Sequence, residues 1–313
     1  MINADQLRDG WRTGRAVTYS LERVPVIGGT LAAGIWNPGL KSTVLAFHGI
    51  TASHVSWRAV ARALESTRTL VAPDLRGRGG SRDVAGPFGM ARHAEDAVVL
   101  LDSIGVDRVD VVGHSMGGFV AMRFAAKYPE RVVSVTLVDG GIPLPLPADI
   151  PIEDVMKAAL GPAIARLGMT YPTRASYRDF WRAHPAFVDE WNDDVEAYVD
   201  YDLVGEAPNL RSSASGAAVM ADAVEQGVGT VADEPWHVVT TPIMFLRAPR
   251  GLLNGAPLYD AAYLADFAGA LPNVPIVEVP DVNHYSILMN PRGADAVADA
   301  IRRTANPEQE AQQ

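Results

Sequence analysis

Gly113-His114-Ser115-Met116-Gly117 is the stretch whose reading decides the fold. Arg108-Val109-Asp110-Val111-Val112 precedes it, short, β-branched and bounded by polar residues, which predicts a strand. Residues 118–128 follow with helical propensity, and Pro129 ends them. A G-x-S-x-G set between a strand and a helix is the context of a nucleophile elbow, a turn that holds a serine exposed at the top of a sheet. The glycines have a physical task there, because a Cβ at either flank collides with the neighbouring strand or helix. The competing reading is a glycine-rich turn with an incidental serine. Partners elsewhere in the chain decide between the two.

A serine is a weak nucleophile without a base. Of the seven histidines, His284 is the candidate, in a loop just past a strand expected at 275–279 and ahead of the last helix. A loop at the carboxyl end of such a strand faces the place where open α/β sheets put their sites. The alternative is a plain surface-loop histidine. His114 is expected to pack or hydrogen-bond beneath the elbow, and His93, His184 and His237 read as ordinary helix or loop residues. Acyl chemistry also needs two backbone N–H donors at the developing oxyanion. Met116, just after the serine, is one; Ile50, in His48-Gly49-Ile50 after the strand expected at 43–47, is the other. A simple strand-end turn is the alternative for that second loop.

The histidine needs an acid to fix its tautomer. Asp139 closes the strand expected at 132–138 and gives the chain order Ser…Asp…His. The other usual location, after the strand at 242–246, holds no carboxylate before Asp260, and Asn254 is neutral. Asp139 is therefore the first candidate and Asp260 the second.

Composition narrows the class. The chain has 313 residues, a formal net charge of −10, 48% hydrophobic and 20% charged residues, which indicates a folded protein with a sizeable core. An acidic balance argues against nucleic-acid or anionic-membrane partners. The absence of cysteine excludes disulfides, thiolate metal sites and a cysteine nucleophile. Residues 1–14 lack the apolar core of a signal peptide, and no apolar run reaches the roughly 18–20 residues of a membrane span. The expected location is the cytoplasm. No His/Asp/Glu cluster has metal-ligand spacing and no cofactor is expected. The Gly- and Arg-rich segment 73–81 lacks both phosphate-loop patterns and reads as a hydrogen-bonded loop.

Along the chain, 16–20 and 31–36 read as paired strands around a turn at Pro25 and Gly28-Gly29. A strand at 43–47, a helix at 57–65, a strand at 69–72 and a helix at 91–104 lead to the elbow. The strand 132–138 follows. This alternation predicts a parallel sheet with helical crossovers. It breaks at a proline-rich connector, 140–147, after which 150–235 reads as helical and rich in aromatics. The insertion's aromatics are expected to be mainly its own core, some of them lining a substrate pocket. Strand, helix, strand and helix return at 242–246, 258–270, 275–279 and 294–303, followed by a polar tail at 305–313.

With these residues placed, the chain resembles the α/β-hydrolase superfamily over nearly its whole length. The resemblance rests on His48-Gly49 with Trp57, the run Asp74 to Ser81, Gly113 to Gly118, Tyr128 to Val132, Leu137-Val138-Asp139 and Asn283-His284. It implies an α/β fold with a mostly parallel eight-stranded sheet flanked by helices. Residues 1–140 and 238–313 form its core, and a helical cap, 141–237, is inserted after the sixth strand. The family's usual aspartate after the seventh strand is missing here. A serine at the elbow sets the chain apart from epoxide hydrolases and haloalkane dehalogenases, which carry aspartate there. The expected activity is hydrolysis of a carboxylic ester, thioester or lactone of a partly hydrophobic small molecule through an acyl-serine intermediate. Carbon–carbon bond hydrolysis, acyl transfer and cofactor-free haloperoxidase-like activity are rarer uses of this fold. A non-catalytic ligand-binding protein on the same fold is the rival reading. A monomer or homodimer is expected.

Overall fold

The computed structural model describes residues 18–144, 154, 163, 165–226 and 229–305. The segment 1–14, the start of the 16–20 strand, Pro145, Pro147 and the tail beyond 305 lie outside these residues. In chain order the strands and helices before the insertion are β1 (Tyr19–Val26), β2 (Gly29–Trp36), β3 (Thr43–Phe47), α1 (Arg58–Ala63), β4 (Thr69–Pro73), α2 (Met90–Ser103), β5 (Val109–His114), α3 (Met116–Lys127) and β6 (Val132–Val138). The insertion contributes α4 (Arg174–Arg182), α5 (Asp193–Asp202), β7 (Leu203–Val204), β8 (Arg211–Ser212), α6 (Gly216–Gln226) and α7 (Gly229–Val238). Then come β9 (Ile243–Arg247), α8 (Ala261–Ala270), β10 (Ile276–Glu278), α9 (Ser286–Met289) and α10 (Pro291–Thr304).

Eight strands form one sheet in the order β1-β2-β4-β3-β5-β6-β9-β10. Only β2 runs against the others, pairing antiparallel with both β1 and β4. The rest pair in parallel. Period-two alternation splits the central strands between two cores. Val44 and Ala46 of β3 pack on one face with Trp57, Val60 and Val297, whereas Leu45 and Phe47 pack on the other with Leu101, Val120 and Phe124. Burial on both faces accounts for the nearly continuous apolar runs of β3 to β6. The chain steps from β3 to β4 on one side and to β5 on the other, so the β3/β5 crevice is the topological switch point. The loops after β3 and β5 therefore meet at the carboxyl end of the sheet.

Three expectations need correction. The first hairpin reverses at Ile27 and Gly28, and Pro25 lies inside β1, paired with Thr30. An edge strand tolerates this, because a proline there forfeits no central ladder bond. The 57–65 helix begins with a 3-10 turn at His54–Trp57. The insertion is not wholly helical: β7 and β8 pair antiparallel, and Tyr171 bridges to Leu210. Its aromatics Tyr177, Trp181, Phe187 and Tyr198 are buried together, in one cluster with Trp57, Ile287 and Leu288, so the short helices share a core with one face of the sheet instead of holding one of their own. No described helix is long and apolar enough to cross a membrane.

Candidate active site

Ser115 directly follows β5 with φ 54° and ψ −124°, outside the ordinary regions for an L-residue. Its N–H donates to the Val138 carbonyl at 3.0 Å, and its carbonyl accepts from Gly118 N–H at 2.9 Å. Strain of this kind costs roughly 1–3 kcal/mol and persists only where the surroundings over-determine it. They do so here. A Cβ on Gly113 would fall on the Gly117 carbonyl, and one on Gly117 would fall on the Phe47 carbonyl of the adjacent strand. Both glycines are thus fixed by backbone contact. Ser115 also caps α3, so the Met116 N–H belongs to the first turn, whose donors have no helical acceptor and carry the positive end of the helix dipole.

His284 lies in the loop after β10, and its Nδ1 is 2.6 Å from Oδ2 of Asp139. Both side chains are buried. Asp139, at φ 45° just past β6, donates its N–H to the Leu246 carbonyl at 2.7 Å, while its Oδ1 accepts from Ala248 N–H at 3.1 Å. The carboxylate is thereby held between β6 and β9. The His284 carbonyl accepts from Nε2 of His114 at 2.7 Å, which is the hydrogen bond beneath the elbow that the sequence suggested. Burial, followed by the neighbouring His284, pushes His114 well below the usual imidazole range and keeps it neutral. Asn283 fixes the same loop: its Oδ1 accepts from the N–H groups of Tyr285 and Ser286, each at 2.9 Å. The second acid candidate is elsewhere. Asp260 is exposed and caps α8, accepting from Tyr263 N–H at 2.8 Å. Asn254 Oδ1 accepts from Asn283 Nδ2 at 3.2 Å, supporting the histidine loop rather than the imidazole.

The loop after β3 is equally fixed. The Gly49 carbonyl accepts from Nδ1 of His48 at 2.8 Å and from Ala52 N–H at 3.0 Å. In a trans peptide the N–H points opposite to the carbonyl, so the Ile50 N–H faces away from both donors. His48 Nε2 accepts from Leu75 N–H at 2.9 Å, which places its proton on Nδ1. Burial lowers the His48 pKa to about 4. Gly49 runs close to the elbow, its Cβ position only 3.4 Å from Ser115 Cβ. The Ile50 carbonyl is held in turn by Nε of buried Arg78 at 2.9 Å.

Ser115, His284, Ile50 and Met116 share one cavity of about 190 Å³, with walls that include Phe119, Leu144, Leu258 and Met289. Among the described residues no Asp, Glu, Lys or Arg lines it. The insertion supplies Leu144, Ala163, His184, Tyr198 and Gln226. His184 is therefore not the ordinary loop residue it resembled in the sequence. Its Nδ1 accepts from Ala186 N–H at 3.2 Å, and burial, then the nearby Arg166 charge, lowers its pKa. It faces the cavity neutral, with its proton on Nε2. Of the insertion's aromatics only Tyr198 is among the cavity-lining residues.

A family model described as alpha/beta hydrolase fold matches residues 42–291 of this chain. The chain belongs to the alpha/beta hydrolase family. Relatives within this family include the 2-(acetamidomethylene)succinate hydrolase of Mesorhizobium japonicum, 26% identical over 82% of this chain and 86% of that protein. Lipase LipV of Mycobacterium tuberculosis is 36% identical over 42% of this chain and 51% of its own length. Among solved structures, E-2-(acetamidomethylene)succinate hydrolase superposes with a TM-score of 0.74 at 23% identity, covering 92% of this chain and 99% of that one. Other mycobacterial relatives, 37% identical, are spanned over only 30% of their length. As an alpha/beta hydrolase the chain has the eight-stranded sheet its sequence led one to expect. Arg78 is the site-supporting residue that the sequence did not reveal. Its glycine-rich loop reads as a hydrogen-bonded turn, and it is one (Gly77 N–H to the Ser81 carbonyl, 3.0 Å), but Arg78 bonds far beyond that turn.

Proposed function

We propose that this alpha/beta hydrolase cleaves carboxylic esters of small, uncharged, largely apolar molecules through an acyl-Ser115 intermediate. One observation carries the reading: a strained Ser115 shares an apolar cavity with His284, whose far ring nitrogen is bonded to buried Asp139. With Nδ1 committed to Asp139, Nε2 is the nitrogen left to act as base. Ser115 Oγ attacks the acyl carbon as Nε2 takes its proton. The Ile50 and Met116 N–H groups receive the oxyanion. Collapse breaks the carbon–oxygen bond, and the leaving alcohol takes the proton from His284. Water, deprotonated by the same nitrogen, attacks the acyl-enzyme and releases the acid. Residues 141–237 act as a cap that roofs this site.

The lining supports a neutral substrate. A dicarboxylate such as the succinate in the name of one relative would enter a cavity with no lysine or arginine among its described walls, and burying unpaired charge there is unfavourable. Thioesters and lactones are served by the same groups. The test is initial-rate hydrolysis of p-nitrophenyl acetate and butyrate by the wild type and Ser115→Ala. Turnover that disappears in a folded variant is expected; turnover that survives would refute the reading.

A further inference from the structure

Behind the oxyanion loop lies a buried cluster that the proposed chemistry does not use. Arg78, fully buried in the loop after β4, donates through Nε to the Ile50 carbonyl at 2.9 Å and through Nη1 to the Arg76 carbonyl at 2.7 Å. The same Nη1 is 2.5 Å from Oδ2 of Asp222, which is fully buried on α6 of the insertion. His93 of α2 places Nε2 2.9 Å from that oxygen. Two elements of the core, the Arg78 loop and α2, thus meet α6 of the insertion at a single carboxylate, and Arg78 links it onward to the Ile50 loop.

We propose that Asp222 and Arg78 are positioning residues, through which docking of α6 sets the Ile50 peptide in place to receive the oxyanion. This rests on the ester-hydrolase reading above and extends it. A buried ion pair adds little net stability over an apolar pair of the same shape, and its best-attested role is to fix one register. Among the described residues no hydrogen-bond partner reaches the buried Arg78 Nη2 or Asp222 Oδ1, so the guanidinium's contacts are those to Asp222 and to the Ile50 and Arg76 carbonyls. What it does fix is a direction. The bidentate reach of one guanidinium from Asp222 to the Ile50 carbonyl leaves that loop little freedom to rotate while α6 is seated. Loss of the α6 contact frees Arg78 and loosens the Ile50 donor. An oxyanion donor displaced in this way weakens transition-state binding while leaving substrate binding nearly as it was.

The test uses Asp222→Asn and Arg78→Lys, with kcat and KM on p-nitrophenyl butyrate, Ki for phenylboronic acid and melting temperature. A boronic acid bonds Ser115 Oγ to boron and forms a tetrahedral anion, mimicking the oxyanion state. Either variant should lower kcat and raise the boronic acid Ki by 10- to 100-fold, with KM changed less than threefold. The double variant should lose no more than the worse single one, since both act along one route. A folded variant with wild-type kcat and Ki, or a loss confined to KM, overturns the proposal. If neither variant folds, amide hydrogen exchange on the wild type decides. Saturation with phenylboronic acid should slow exchange in both 49–52 and 216–226, because coupling is reciprocal; unchanged exchange in 216–226 overturns it. If Ser115→Ala retains full turnover, the ester-hydrolase reading itself has failed. Unchanged Asp222→Asn in an enzyme that depends on Ser115 rejects this inference alone.

Discussion

Asp139 and His284 are 145 positions apart in the chain, and their side chains meet at 2.6 Å. Asp139 is the first residue after β6, His284 lies in the loop after β10, and β9 separates the two strands in the sheet. Asp139→Asn preserves the shape but presents an amide that can favour the wrong imidazole tautomer. It should lower kcat by about 10³–10⁴. Asp260→Asn should leave kcat unchanged and stability within about 0.5 kcal/mol, because asparagine caps a helix as well as aspartate does. Parallel kcat measurements on the two variants check this, and equal mild losses would contradict the assignment.

The elbow stores strain that a glycine would release. Ser115→Gly should abolish hydrolysis and raise stability by about 1 kcal/mol, the roughly 1–3 kcal/mol of strain less the added flexibility of the unfolded chain. Gly117→Ala should do the reverse, because its methyl group meets the Phe47 backbone, which cannot move aside. A loss of about 3 kcal/mol or more is expected there. Urea unfolding of both variants tests the pair.

Much of this site was legible because its signals are local. The strand, the glycines and the helix around Ser115 are contiguous, and the sterics that demand Gly113 and Gly117 act within that turn and on the strand beside it. Asp139 could be read because it closes a recognisable strand and because no carboxylate occurs among residues 247–259. His184 and Arg78 could not. The first reaches the cavity only through the fold of the insertion, and the second bonds to partners 28 and 144 positions away. Pro25 suggests a turn in the sequence, yet an edge strand, unlike a central one, accepts proline, and edge position is set by the sheet order.

Stability should fall as the pH drops below neutrality. His48 has its pKa lowered by burial from 6.5 to about 4, so the unfolded chain takes up the proton first, and stability is lost as pH falls from about 6.5 towards 4. Asp74 adds a second window. Burial raises its pKa, but the charge and hydrogen bonds of His54 outweigh this and lower it from 3.8 to about 2, so its contribution disappears as pH falls through that range. Urea midpoints between pH 7 and 4 should decline steadily, and His48→Asn, less stable at pH 7, should flatten that decline. A profile identical to wild type in the variant would contradict the role of His48.

The cavity also limits substrate size. A cavity of ~150 Å³ with apolar walls holds one benzene ring, so about 190 Å³ admits one ring or a short alkyl chain. Each methylene that finds space contributes about 0.8 kcal/mol, close to fourfold in kcat/KM. Across p-nitrophenyl esters from acetate to laurate, kcat/KM should climb over the first few carbons and then drop. A carboxylate on the acyl chain should lower it by at least 100-fold. A monotonic rise to laurate, or preference for the charged ester, would contradict the neutral, small-substrate reading.

The central claim is that Ser115 is the nucleophile. The most direct measurement is peptide mapping by mass spectrometry after treatment of the native protein with a fluorophosphonate. One adduct per chain is expected, on Ser115, formed in step with loss of esterase activity and absent from Ser115→Ala. An unlabelled Ser115 in a protein that still turns over esters would contradict it.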